Sequence, residues 1–381
     1  MDDNRIKYFC HYACMDAYRQ RKGSPAADTK IDYVVEVLNS LGYAVDIISH
    51  ASVSIKGGCF RGYKERNGAN TIRYFTCFGK SSNIFNKIYN RFFFDFVFFV
   101  WCLFNIKRNE QIIVYHSLNY NKLFIKLKKI LGFTLIGDVE EIYQDVHPST
   151  KMKAKHEYDF FSICDKYIFP NTILNEKLNP KRRPHLVIHG IYKINNNDVD
   201  EFNDGLIHIL YAGTFDPVKG GAVASLEMSR YLSEKYHLHI TGFGTDCQRD
   251  DLTRRIDKLQ RIVKCKLSFH GYLSDREFCE LMSKCCVGLC TQDPTSKLNL
   301  TSFPSKILNY MSHGLVVLSG RNRAIEESKV GDLVFYYNVQ EAKSMADSIM
   351  RINKFSQQEI RERLVKLDVE LHSELQNFLK E

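Results

Sequence analysis

Leu210-Tyr211-Ala212-Gly213-Thr214-Phe215-Asp216-Pro217-Val218-Lys219-Gly220-Gly221 is an apolar run that stops on a glycine, turns through a short loop, and restarts at a lysine beside two glycines. The run from Leu206 to Ala212 predicts a strand, and the periodicity from about 219 to 235 predicts a helix. A strand-loop-helix junction of this kind binds phosphate: the helix entrance offers backbone N–H groups, glycine admits the ligand, and lysine adds charge. It is not a Walker loop, because Gly-Lys-Ser/Thr is absent, and it does not fit G-x-G-x-x-G.

A second junction follows at Leu298-Asn299-Leu300-Thr301-Ser302-Phe303-Pro304-Ser305-Lys306-Ile307-Leu308-Asn309-Tyr310-Met311-Ser312-His313-Gly314. Ser302 is read as the cap of a helix over about 303 to 313, Pro304 suits its first turn, and Gly314 ends it. Two phosphate-suited entrances in one domain, with Lys219 at one and Lys306 at the other, predict a diphosphate ligand. Asn309, one turn further in, is placed to reach a sugar hydroxyl.

Around these junctions the second half repeats an α/β rhythm. Strands are predicted at 206–212, 237–241, 266–270, 287–290, 315–319 and 333–337, with helices between them. The first half reads as strand (5–12), helix (28–41) and strand (44–49), then strands at 111–115 and 133–136 around a helix at 118–131, and a strand at 162–170. Breakers cluster from about 179 to 204. This predicts an N-terminal Rossmann-like domain over 1–185, a linker over 186–204 and a second Rossmann-like domain over 205–355. The tail, about 356–381, is an amphipathic helix with Ile360, Leu364, Leu367, Leu371, Leu375 and Phe378 on one face, expected to pack on the protein's own surface, with the first domain as its site.

The chain has 381 residues, long enough for two domains, and at 44% hydrophobic and 25% charged it is neither disordered nor a polytopic membrane protein. Residues 1–185 carry 28 Lys/Arg against 18 Asp/Glu, whereas 186–381 carry 25 against 26. The net charge of +9 thus belongs to the first half. That asymmetry argues against a nucleic-acid binder and for one basic surface facing an anionic membrane or a phosphorylated substrate. The 12 cysteines are expected to be free thiols in a reducing compartment, since the N-terminus lacks an apolar signal core. Cys279, Cys285, Cys286 and Cys290 form no paired Cys-x-x-Cys motif, so no metal is expected. Phe92 to Ile106 is apolar but only 15 residues long, short of the roughly 20 that span a bilayer. It fits a core helix or a helix lying on a membrane.

Together, Ala212-Gly213-Thr214 with Lys219-Gly220, Thr241-Gly242-Phe243-Gly244, Phe269-His270-Gly271-Tyr272-Leu273 and Phe303-Pro304-Ser305-Lys306-Ile307-Leu308 through Met311 and Gly314 resemble the C-terminal domain of retaining GT-B glycosyltransferases of family four, in the form seen among bacterial polysaccharide-assembly members. The first half matches through Ser24-Pro25-Ala26-Ala27, Tyr115-His116-Ser117 and Gly137-Asp138-Val139-Glu140-Glu141. The resemblance implies two parallel-sheet domains facing a central cleft. It further implies a nucleotide-diphosphate sugar as donor, a glycan or polyprenyl-diphosphate-linked acceptor, and a cytoplasmic enzyme at the inner face of the membrane. Lys219, with the backbone at Gly213, Thr214, Ser305 and Lys306, would hold the diphosphate; Tyr272 and Leu273 would border the base, and Gly244 belongs to the same nucleotide-sugar site. The family's paired glutamates register on Thr301 and Asn309, and its arginine beside the strand-end glycine is Thr214. Neither change keeps the family's charge. His116, Glu140 and Glu141 are candidates to bind or deprotonate the acceptor hydroxyl. No cofactor or metal is implied, and no Asp-x-Asp motif is present. A non-catalytic nucleotide-sugar-binding adaptor and a sugar-nucleotide epimerase share the expected fold.

Overall fold

The computed structural model describes residues 4–14, 21–53, 55–80, 83–146, 156–195, 202–217, 219–291, 301–338, 341–352 and 357–381. It divides into two compact units, Met1–Ile188 with Leu371–Glu381, and His189–Glu370.

The first unit is built on β1 (Arg5–Cys10), β2 (Ala44–Ser49), β3 (Cys59–Phe60), β4 (Lys64–Asn67), β5 (Asn70–Tyr74), β6 (Cys77–Phe78), β7 (Gln111–Tyr115), β8 (Thr134–Asp138), β9 (Lys166–Phe169) and β10 (His185–Val187). Eight of these form one sheet in the order β10-β9-β8-β7-β1-β2-β5-β4, parallel except for β4 on β5, and β3 pairs with β6. The parallel strands are apolar on both faces because helices cover both sides. Helix Pro25–Ser40 follows β1 with Pro25 in its first turn, and helix Leu118–Leu131 ends where Gly132 turns left-handed at φ +69°. The unit runs three residues past the expected end at 185, because Leu186 and Val187 pair with Ile168 and Phe169.

The apolar segment expected over 92–106 starts earlier. A continuous helix runs from Ile84 to Asn105 through a π turn at Tyr89–Phe93. Phe94, Phe98 and Cys102 are buried on one stripe, where Phe98 meets Phe9 and Phe75 edge-on. Tyr89, Phe99, Trp101 and Leu103 flank that stripe half-buried, and the face opposite it is exposed.

The second unit carries β11 (Ile207–Thr214), β12 (Tyr236–Phe243), β13 (Lys266–Gly271), β14 (Val287–Cys290), β15 (Val316–Gly320) and β16 (Val334–Tyr337). They form one all-parallel sheet in the order β13-β12-β11-β14-β15-β16. Strand order reverses at β11, and open α/β sheets bind ligands beyond the carboxyl ends of the strands at such a switch point. Each sheet with its helices is Rossmann-like. The last helix, Gln357–Lys380, buries Ile360, Leu364, Leu367, Leu371, Leu375 and Phe378, the face read from the sequence.

Candidate active site

The carboxyl ends of β11 and β12 meet as a glycine pair, Gly213 opposite Gly242. Gly242 has φ +147°, and a Cβ there would fall inside the Gly213 carbonyl, so the close approach of the two strand ends demands glycine. Two tyrosines form the floor. Tyr211 Oη donates to the Thr214 carbonyl at 3.0 Å and packs under Gly221, and the Ala212 N–H donates to Tyr310 Oη at 2.8 Å.

Two cations converge on this floor. Lys306 is half-buried, its Nζ 4.7 Å from the centre of the Tyr211 ring and close enough to Gly213 that a Cβ there would lie 2.9 Å from it. Burial pushes its pKa below the usual lysine range; Cys290 opposes that shift and the Lys219 charge adds to it. Lys219 is exposed at the end of the β11 loop, and neither lysine is in an ion pair among the described residues. Two ammonium groups that repel each other beside a glycine strand end make a place for an anion, because a bound anion removes the repulsion. Behind Lys219, Gly220 caps helix Gly221–Met228 in a left-handed conformation at φ +67° and has no side chain to take the first N–H groups.

The second junction differs from its expected form. Its helix is Lys306–Ser312, entered at Ser305, so Ser302 is not the cap and Pro304 stands before the first turn. The Pro304 carbonyl accepts from Ile307, which puts a turn where the helix was expected to begin. Ser305 and Asn309 are exposed, whereas Thr301 is buried. Leu298, Asn299 and Leu300 lie outside the described residues. Gly244 follows β12 against Phe215, and Tyr272 with Leu273 follows β13, Tyr272 being 75% exposed. These residues share the carboxyl edge of the sheet with Gly213.

In the first unit the expected acceptor residues separate. His116 is 2% exposed among Tyr143, Phe160 and Phe161, with Glu157 Oε1 3.4 Å from Nε2, and burial lowers its pKa to about 3. It is a core imidazole, not a group open to an acceptor, because the strand end at Tyr115 is roofed by helix Glu157–Ile163. Glu140 and Glu141 stay half-buried at the rim. Glu140 pairs with Lys30; burial raises its pKa, the Lys30 charge opposes this, and Asp138 adds to it. Lys30 also donates to buried Asp138 at 2.9 Å, and Tyr8 donates to the same carboxylate. Burial works against the Lys30 charge, but Asp138 and Glu140 hold its pKa above the ordinary value. The sequence reading did not single out Lys30, Tyr8, or His11 and His50 past the ends of β1 and β2. Their spacing follows no local motif, and only the parallel register assembles them.

Residues 207–354 match the family described as Glycosyl transferases group 1. Comparison with curated protein sequences gave no match. Among solved structures, the chain is similar to the alpha,alpha-trehalose-phosphate synthase (UDP-forming) of Burkholderia xenovorans in complex with glucose-6-phosphate, at 12% identity and TM-score 0.63 over 97% of both chains. It is also similar to Anabaena HepE in complex with UDP and glucose, at 11% identity and TM-score 0.63 over 99% of both chains. A third likeness is to the lipopolysaccharide outer core galactosyltransferase WaaB, at 14% identity and TM-score 0.63 over 98% of this chain and 99% of that one. These structures carry the two-domain architecture, and the family match falls on the half that holds the glycine pair and both lysines. Residues 207–354 thus carry the match to the group 1 glycosyl transferases, and the chain as a whole shares the two-domain fold of these glycosyltransferase structures.

Proposed function

We propose that the enzyme is a retaining glycosyltransferase of surface-polysaccharide assembly, taking its donor in the second unit and a glycan or polyprenyl-diphosphate-linked acceptor in the first. The observation that carries the donor half is the pair of uncompensated ammonium groups, Lys219 and Lys306, at the Gly213 strand end. As the sugar–phosphate bond breaks, charge grows on the leaving diphosphate. Fixed cations and backbone N–H groups already aimed at that position stabilise it without reorganising. The leaving diphosphate itself takes the acceptor proton on the same face, so the transfer step needs neither metal nor a protein base. With exposed Asn309 in place of a carboxylate, the ribose is held by a neutral hydrogen bond, weaker than a charged one, and buried Thr301 does not replace the carboxylate beside the donor sugar.

A thermal-shift screen with UDP, GDP, ADP and their sugars tests this, because a ligand that binds only the folded chain stabilises it. One base should raise Tm in the wild type and not in the Lys219→Ala/Lys306→Ala double variant. A shift that survives in the double variant overturns the site, and binding without transfer to any glycan or lipid-linked acceptor favours the adaptor reading.

The helix Ile84–Asn105 supports a membrane-borne acceptor. By length and composition it could cross a bilayer, yet only 17% of its most apolar window is buried, and its buried stripe is part of the first unit's core. Phe85, Ile88, Phe92, Phe93, Phe96 and Phe104 face outward, with exposed Lys87, Arg91, Lys107 and Arg108 on the same helix and just past its end. An apolar face edged by basic residues, on the half of the chain that holds the positive charge, fits a helix lying in the plane of an anionic membrane.

A further inference from the structure

At the start of the second unit's sheet, far from the lysines, three imidazoles stand on neighbouring strands. His208 is on β11, and His237 and His239 are on β12. His208 pairs with His237 in the parallel register, and alternation puts His239 on the same face. One ring nitrogen from each lies within 4.8 Å of the others. His208 and His239 are each 2% exposed, and Phe202 stacks over both, its ring centre 4.0 and 5.5 Å from theirs.

The other nitrogen of each ring is held from behind. His208 Nε2 lies 2.9 Å from Asp204 Oδ1, His237 Nε2 lies 2.8 Å from Ser268 Oγ, and His239 Nδ1 lies 3.0 Å from His270 Nε2. A carboxylate only accepts, so the His208 proton sits on Nε2 and its Nδ1 turns a lone pair inward. His208 Nδ1 and His239 Nε2 are 2.8 Å apart, and His237 Nδ1 is buried with no hydrogen-bond partner.

We propose that His208, His237 and His239 form a binding site for one divalent transition-metal ion of the zinc class. Three neutral imidazoles backed by a carboxylate, a hydroxyl and a fourth imidazole are the ligands and outer partners such ions use. Imidazole nitrogen suits zinc, copper and nickel, whereas magnesium and calcium take oxygen. Without metal, His239 Nε2–H donates to His208 Nδ1. With metal, His239 shifts its proton to Nδ1 and donates to His270 Nε2, which frees all three lone pairs. The 2.8 Å gap then opens to the roughly 3.3 Å that two ligands about 2.0–2.1 Å from a tetrahedral ion require. Half-exposed His237 leaves a side from which water completes the fourth position.

Gly213 lies five positions beyond His208, roughly 16 Å of strand, so the ion clamps β11 to β12 and takes no part in transfer. The site is independent of the glycosyl-transfer reading.

Titration of the full-length, metal-stripped enzyme with Co2+ and then Zn2+ tests it. The expected result is one Co2+ per chain with a tetrahedral nitrogen-ligand spectrum and no thiolate charge-transfer band, displaced stoichiometrically by Zn2+, which raises Tm. His239→Gln should weaken binding at least about 100-fold, and Ser268→Ala, which leaves all three ligands in place, by about 10–100-fold. No stoichiometric binding by the wild type, a thiolate band, or unchanged affinity in both variants overturns the proposal. The wild-type spectrum decides the matter even where His239→Gln fails to fold.

Discussion

The Lys306 ammonium rests 4.7 Å from the centre of the Tyr211 ring, so a half-buried charge is held by an aromatic face. A ring face attracts a cation but does not neutralise it. Lys306→Met should therefore leave Tm unchanged or raise it while transfer falls by roughly 10²–10³-fold, the usual loss for one group aimed at developing charge. Lys219→Ala, at an exposed position, should lose a similar factor with no change in Tm. Steady-state kinetics beside a melting curve separates the two effects; near-normal kcat in either variant removes that lysine from the reaction.

Gly242→Ala should be severe. The new methyl would occupy the Gly213 carbonyl, at a φ of +147° that alanine rarely adopts. The strain exceeds the about 1 kcal/mol typical of Gly/Ala exchange, and relief by parting β11 from β12 would move Gly213. Chemical denaturation should show the destabilisation, and a variant of wild-type stability would contradict the pairing.

Burial of His116 predicts an acid-sensitive core. Its folded pKa, about 3, lies below the ordinary 6.5, so between these values the unfolded chain binds a proton that the folded chain refuses. Stability from this residue is complete above pH 6.5 and is lost as pH falls. From pH 7 to 5 the loss is about 2 kcal/mol, at 1.36 kcal/mol per unit. Urea unfolding of the wild type and His116→Gln at both pH values should show that much less acid sensitivity in the variant.

The outward phenylalanines of Ile84–Asn105 should matter only where lipid is present. Phe85→Ser/Phe92→Ser/Phe104→Ser should abolish flotation with phosphatidylglycerol vesicles and leave the nucleotide-dependent thermal shift intact. Lys87→Glu/Arg91→Glu should weaken flotation most at low salt. Flotation indifferent to both sets would remove the membrane reading.

Strands at 44–49, 111–115 and 287–290 and the helix at 118–131 were legible to the residue, because buried apolar runs bounded by polar residues and a left-handed Gly132 leave little choice. The edge hairpin at Lys64–Tyr74 was not, since β4 is mostly exposed and charged and has no strand-like alternation. The glycine strand end and both lysines could be read from local motifs. The role of His116 could not, because its roof comes from a helix more than forty residues later. The three-histidine cluster was hidden for a related reason: its members lie 29 and 2 residues apart, and only β-pairing turns that spacing into proximity.

The last helix places a restriction on anyone dissecting this protein. The first unit is discontinuous in the chain: Lys166 Nζ donates to the Phe378 carbonyl at 3.0 Å, Gln111 Nε2 donates to Leu379 at 3.0 Å, and Leu371, Leu375 and Phe378 are buried. The other end of the same helix is tied to the second unit by Arg363, which grips Asp332 through both guanidinium nitrogens. No single cut yields both halves whole. A fragment ending at 188 would lose the partners of these donors and uncover the apolar surface beneath Leu371, Leu375 and Phe378, and during synthesis the amino-terminal half must wait for residues 371–381 before its core can close.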